Sequence, residues 1–189
     1  MTASLTLVRR IKAPPHIVFE AVTTAEGIAH WWGPDAGPVF LSESDPRIGG
    51  CYRLRFRTLR GTEHECSGEF LVIDPPSRVV MSWRWRGGAE DPGESQIEIT
   101  LRAISAGTEL TFTHSRLHDD STRRSHEEGW AGSLGKLEAH FARGRESVQV
   151  TGHLPRDPGS QGRDYEGSAD DLMKSISARS GTGTRRRPG

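Results

Sequence analysis

The feature that most constrains this chain is a series of short runs between residues 39 and 114 in which apolar and polar side chains alternate, each closed by turn-forming residues. Cys51-Tyr52-Arg53-Leu54-Arg55-Phe56-Arg57 sets the pattern, with Tyr52, Leu54 and Phe56 on one side and three arginines on the other. A period of two belongs to a half-buried strand, because successive side chains leave a pleated backbone on opposite faces. The expected strands are 39–42, 51–57, 64–73, 79–86, 96–103 and 109–114. Between them stand Ile48-Gly49-Gly50, Arg60-Gly61-Thr62, Asp74-Pro75-Pro76-Ser77, the glycine-rich stretch 87–93, and Ser105-Ala106-Gly107. Connections this short join antiparallel neighbours; parallel strands need a crossover of about a dozen residues or more.

Helices flank this series. Leu5, Leu7 and Ile11 read as a first strand, which Pro14-Pro15 stops. Pro15 suits the first position of a helix, where its missing N–H costs nothing, and Ile17, Val18, Ala21 and Val22 continue at helical spacing. Thr24 caps a second short helix that runs to Trp32 and ends at Gly33-Pro34. The last element spans 125–142, where Trp130, Leu134, Leu137 and Phe141 make one narrow stripe. Gly129, Gly132 and Gly135 lie around the other side, each costing a helix about 1 kcal/mol relative to alanine. The core does not account for them and the sequence supplies no firm account; close approach of another backbone or of a partner is the one candidate reason. A sheet with one apolar face and one amphipathic helix must bury each against the other, so the fold class is α+β.

Residues 144–189 change character. Few large apolar side chains remain, and the segment ends in Arg185-Arg186-Arg187. Such a composition does not offset chain entropy. The expected organisation is a folded domain over 1–143 followed by a disordered Gly/Ser/Arg-rich tail over 144–189; residues 168–179 carry the capping pattern of a transient or partner-induced helix, which is the less favoured reading.

Bulk properties exclude several classes of partner. Lys+Arg and Asp+Glu number 25 each, so no net field favours nucleic acid. No run approaches the roughly 20 apolar residues of a membrane span, and the first residues lack a secretory pattern. A cytoplasmic location is expected. Cys51 shares the polar side of its strand while Cys66 shares parity with Gly68, Phe70 and Val72, so two free thiols on opposite faces are expected.

Strand parity supplies an inventory of the concave face: Tyr52, Leu54, Phe56, Phe70, Met81, Trp83, Trp85, Ile99 and Phe112, opposed by Trp130 and Leu134. Aromatic walls with a few polar groups suit an apolar ligand. His114 holds an apolar-face position at a strand end and is the one candidate for proton transfer, with Glu127 or His126 to poise it. A histidine bonded to the backbone with a purely structural role is the competing reading. His64 and Cys66 share the face of His114, yet no zinc-type spacing is present, so neither metal nor cofactor is expected. The arginine row on the other face, interleaved with Glu69, Glu98 and Glu109, reads as a solvated surface with cross-strand ion pairs.

Several words of the sequence, in order, carry a resemblance: Ile11-Lys12-Ala13-Pro14, Val18-Phe19-Glu20-Ala21-Val22, Glu26 with Trp31-Trp32-Gly33-Pro34, and Asp74-Pro75-Pro76 leading to Trp83. Gly107-Thr108-Glu109-Leu110-Thr111-Phe112-Thr113-His114 and Gly129-Trp130 through Leu137 complete the set. Over about residues 5–142 the chain resembles the bacterial proteins named for the C-terminal domain of the activator of Hsp90 ATPase, in the START-like, Bet v 1-like superfamily. That resemblance implies a helix-grip fold, in which a curved antiparallel sheet of about seven strands wraps a C-terminal helix and two short helices close one end. It implies no universal catalytic residue. Trp31, Trp32, Trp83, His114 and Trp130 match recurrent positions of the family.

Three functions follow as expectations. The first is binding of a small hydrophobic or aromatic molecule between sheet and helix, oriented by His114 or Tyr52. The second is a cyclase- or hydrolase-type enzyme on an aromatic or polyketide-like substrate, with His114 moving protons. The third is a co-chaperone-like interaction module, with a protein partner or a second copy of the chain. The absence of a second strong acid or base beside His114 places the first ahead.

Overall fold

In a computed structural model that describes residues 2–86 and 93–146, the alternating runs form one seven-stranded sheet. Strand β1 (Ala3–Ile11) leads into helices α1 (Pro15–Thr23) and α2 (Ala25–Ala29). Strands β2 (Val39–Ser44), β3 (Cys51–Arg57), β4 (Glu63–Asp74), β5 (Arg78–Arg86), β6 (Ser95–Ile104) and β7 (Gly107–Leu117) follow, and α3 (Asp120–Glu146) closes the described chain. The spatial order is β1-β7-β6-β5-β4-β3-β2, antiparallel throughout. Five hairpins in sequence therefore lay down most of the sheet, and only β1 crosses to the far edge to pair with β7.

The apolar parity sets face inward as the alternation predicts. Leu54, Phe70, Ile97, Leu110 and Phe112 are inaccessible to solvent, as are Leu134 and Leu137 of α3. Each such side chain contributes about 1.5–3 kcal/mol on burial. The stripe on α3 is the surface that the sheet wraps, with the Phe112 and Trp130 ring centres 4.5 Å apart. On the other face the arginine rows are matched across strands: Arg53 with Glu65 at 2.8 Å, Arg57 with Glu63 at 2.5 Å, Arg78 with Glu98 at 2.7 Å and Arg102 with Glu109 at 2.6 Å. Exposed pairs of this kind stabilise little, about 0.2–1 kcal/mol each, but they neutralise the face.

Two local expectations need correction. A bulge between Phe70 and Val72 inverts the parity of β4, so Ile73 rather than Val72 packs against the core. Helix α3 begins at Asp120, more than a turn before the expected start, because Asp119 Oδ1 accepts from the Thr122 amide at 2.7 Å and Arg123 pairs with Glu127 at 2.7 Å. That first turn carries no apolar residue, so periodicity gives no sign of it. The two cysteines are free, Cys51 exposed and Cys66 buried, as parity requires. No helix among the described residues is long and apolar enough to cross a membrane. The expected tail over 144–189, with its helix over 168–179, lies outside the described residues apart from the end of α3.

Candidate functional site

The Trp31-Trp32-Gly33-Pro34 segment is built first by α2. Thr24 caps that helix by accepting from the Gly27 amide at 3.1 Å. The following turn buries Trp31, whose indole N–H donates to the Ala21 carbonyl at 2.9 Å. Gly33 then takes a left-handed backbone (φ 89°) that glycine tolerates best, and the chain turns across the outer side of α3.

Helix α3 receives this loop through its glycines. A Cβ on Gly132 would stand 1.9 Å from the Pro34 carbonyl oxygen, and one on Gly129 would just touch the Pro34 ring at 4.0 Å. The loop is tied down on either side. Ser133 Oγ donates to Gly33 O at 2.8 Å, while Lys136 Nζ donates to Trp32 O at 2.5 Å and Asp35 O at 2.7 Å. Gly132 thus exists to admit another backbone. Gly135 meets nothing within 4 Å and has no such explanation.

Beneath the loop lies a cavity of about 370 Å³. Its walls are Trp32 and Pro34 from the loop, Phe56 from β3, His64 from β4, Trp83 and Trp85 from β5, and His126, Gly129 and Trp130 from α3. Ring-to-ring contacts hold the walls together: Trp83 with Trp85 at 4.5 Å, Trp83 with His126 at 5.0 Å, Trp32 with Trp130 at 5.0 Å, and Phe56 with His64 at 5.2 Å. Among the described residues, the lining side chain with a formal charge is Glu128.

Of the residues singled out from sequence, Trp32, Phe56, Trp83 and Trp130 meet at this cavity. Trp31, Phe70, Met81, Ile99, Phe112 and Leu134 are packed in the core and do not line it. Tyr52 is also committed to structure, its hydroxyl donating to the Ser82 carbonyl at 2.8 Å. Sequence reasoning placed Trp85 on the concave face without naming it as a ligand residue, and did not assign Pro34, His64, His126 or Gly129 to the ligand site. The parity of Trp85 with Trp83 and the glycine spacing of α3 were the available signals.

His114 is not among the lining residues. It is fully buried, and both ring nitrogens are engaged. Trp130 Nε1 donates to His114 Nδ1 at 2.9 Å, and His114 Nε2 lies 2.7 Å from Ser95 Oγ. Ser95 Oγ in turn donates to the Trp83 carbonyl at 3.2 Å, so it accepts from Nε2–H. The direction of the chain fixes one neutral tautomer. Burial, and secondarily the adjacent His126, pull its pKa down to about 3. A base with no free lone pair and so little proton affinity moves no protons at neutral pH. Glu127 does not poise it, because that carboxylate is paired with Arg123.

His64, Cys66 and His114 do not converge on a metal site either. His64 stacks on Phe56, His114 is spent as described, and among the described residues no group of three His, Cys, Asp or Glu side chains could hold an ion. Burial pushes the Cys66 thiol up to about 12, an effect that the nearby Trp32 and Trp83 N–H groups only partly offset.

The arrangement of seven antiparallel strands, two short helices and one gripped C-terminal helix recurs in solved structures. A protein of Chromobacterium violaceum is 28% identical, with a TM-score of 0.67 over 73% of this chain and 96% of that one. The AHSA1 protein of Silicibacter pomeroyi is 29% identical, with a TM-score of 0.68 over 75% of this chain and 99% of that one. A protein of Arthrobacter aurescens, 17% identical, shares the fold at a TM-score of 0.66 over 80% of this chain and 93% of that one. Among curated proteins none matches. The model of the family described as activator of Hsp90 ATPase homolog 1-like protein matches residues 12–142, which run from the end of β1 through the apolar stripe of α3. With the sheet order, the gripping helix and that match in agreement, the chain belongs to the activator of Hsp90 ATPase homolog 1-like protein family.

Proposed function

We propose that the chain binds a small, largely apolar ring compound in the cavity between the β3–β5 end of the sheet and the first half of α3. One observation carries this reading: aromatic side chains from five separate elements surround an open space instead of filling it. Interiors are normally packed to crystal density. At about 370 Å³ the space sits at the small end of the ~300–1,000 Å³ range of ligand pockets. The wall is apolar, and a few polar atoms stand on it, as expected of a site that recognises shape first. The binding unit is the domain over residues 1–143. Several arginines on the opposite face are matched by glutamates, which takes support from a protein-interaction reading built on a basic sheet face. With His114 locked in one neutral tautomer, the acid–base enzyme reading loses its candidate.

The test is titration of the purified chain with N-phenyl-1-naphthylamine, a neutral dye that brightens in apolar surroundings, while tryptophan emission is followed. Saturable binding is expected, with quenching of tryptophan. Trp85 is half-buried at the cavity edge, so Trp85→Ala should weaken the dye at least several-fold in a variant whose fold is checked by a cooperative urea transition. Absence of saturable binding to the folded parent would rule the reading out.

A further inference from the structure

Two polar atoms at the cavity have no partner. Trp83 Nε1 and His126 Nε2 are both buried, and neither makes a hydrogen bond. Their rings face each other edge to face, 5.0 Å apart and 83° inclined, and both side chains line the cavity. A buried polar group without a partner forfeits about 1–3 kcal/mol, so folded proteins rarely keep two side by side without a reason. The surrounding polar groups are satisfied by contrast. Trp31 donates to Ala21, Trp130 to His114, and Tyr52 to Ser82. The Cys66 sulfur beside Trp83 is a weak acceptor and does not replace a hydrogen bond.

The chemistry of the two atoms is opposite, and geometry fixes it. An indole N–H only donates. His126 Nδ1 lies 2.8 Å from the Thr122 carbonyl, which only accepts, so Nδ1 carries the hydrogen. Burial lowers the proton affinity of the imidazole and so favours its neutral form, partly offset by the Thr122 hydrogen bond. His126 Nε2 is therefore a bare lone pair in need of a donor. A carbonyl or ether oxygen on a ligand satisfies Trp83 alone, and a pyrrole- or amide-type N–H, whose nitrogen lone pair is delocalised, satisfies His126 alone. A hydroxyl does both with one atom.

From this pair we infer that the cognate ligand is a hydroxylated ring compound whose O–H donates to His126 Nε2 while its oxygen accepts from Trp83 Nε1. The inference rests on the binding reading above and deepens it from any apolar ring to a phenol-like one.

The matched series naphthalene, 2-methoxynaphthalene and 2-naphthol tests it by displacement of the dye from the intact chain. All three present the same ring system. The ether adds only the acceptor, and the naphthol adds acceptor and donor. Binding of 2-naphthol about tenfold tighter than naphthalene is expected, with the ether well short of the naphthol, at a net gain typical of neutral hydrogen bonds. His126→Phe keeps a flat ring on a half-buried helical position and should remove the advantage of the naphthol over the ether, read as the ratio of the two affinities within the variant so that any common change in ring binding cancels. Equal affinity for all three compounds would overturn the hydroxyl inference and leave the cavity reading standing. So would a naphthol preference that survives His126→Phe. Failure of all three to displace a dye that does bind would overturn it as well, and failure of dye and series together would remove both.

Discussion

Gly132 and Gly135 occupy the same helix within one turn, and the structure assigns opposite consequences to the same substitution. Alanine in a helix interior is favoured over glycine by about 1 kcal/mol. At Gly135 nothing lies within 4 Å of the added methyl, so Gly135→Ala should raise stability by that amount and the melting temperature by about 3 °C. At Gly132 the methyl lands 1.9 Å from the Pro34 carbonyl oxygen and 2.9 Å from its carbon. Both are backbone atoms, so the loop itself must retreat by more than an ångström. Retreat breaks the Ser133 bond to Gly33 and the Lys136 bonds to Trp32 and Asp35. One neutral and two charge-assisted bonds amount to about 3.5–7.5 kcal/mol, against which the helix gains back about 1. Gly132→Ala is therefore expected to destabilise by about 2.5–6.5 kcal/mol. Urea unfolding followed by tryptophan emission gives both values directly, and dye titration reports on the cavity that the loop roofs. If Gly132→Ala were as stable as Gly135→Ala and bound dye like the parent, the role of the glycine as a seat for the loop would be refuted.

Further expectations concern titration and reactivity. His114 stays neutral in the folded protein down to a pKa of about 3, whereas the unfolded chain takes up a proton near pH 6.5, so the unfolded state binds more protons and stability falls as pH falls. This contribution is nil above the unfolded pKa and amounts to about 2 kcal/mol of lost stability by pH 5. His114→Gln should show a correspondingly flatter dependence between pH 7 and 5 in urea unfolding; parallel slopes would contradict the locked tautomer. Cys51 is exposed, while Cys66 is buried with its thiol pKa raised to about 12. A thiol reagent should therefore label Cys51 alone in the native protein and both after denaturation without reductant. Rapid native labelling of Cys66, read by peptide mass, would show that the sheet face behind Trp83 is open.

The division between what the chain states locally and what only the fold decides runs along the range of the interactions. Strand identity, the antiparallel order and the inward set led by Leu54, Phe70 and Phe112 depend on a two-residue period and on turn residues a few positions apart, so they can be read from the sequence itself. The same holds for the stripe of α3 and for the opposite exposure of Cys51 and Cys66. Parity misplaces Val72 because a bulge leaves no mark in the alternation. The cavity belongs to the other kind. Trp32, Phe56, Trp83 and Trp130 meet there, yet Phe70, Ile99 and Phe112, with the same inward parity, are core. Which aromatic fills space and which borders it depends on how far the loop at Pro34 stands from the sheet, a distance that Gly132, Ser133 and Lys136 set from a hundred residues away. His114 shows the same limit. An inward histidine is visible in the sequence, but its neutral tautomer is made by Trp130, Ser95 and the Trp83 carbonyl, three groups that only the folded sheet and helix bring within hydrogen-bonding reach.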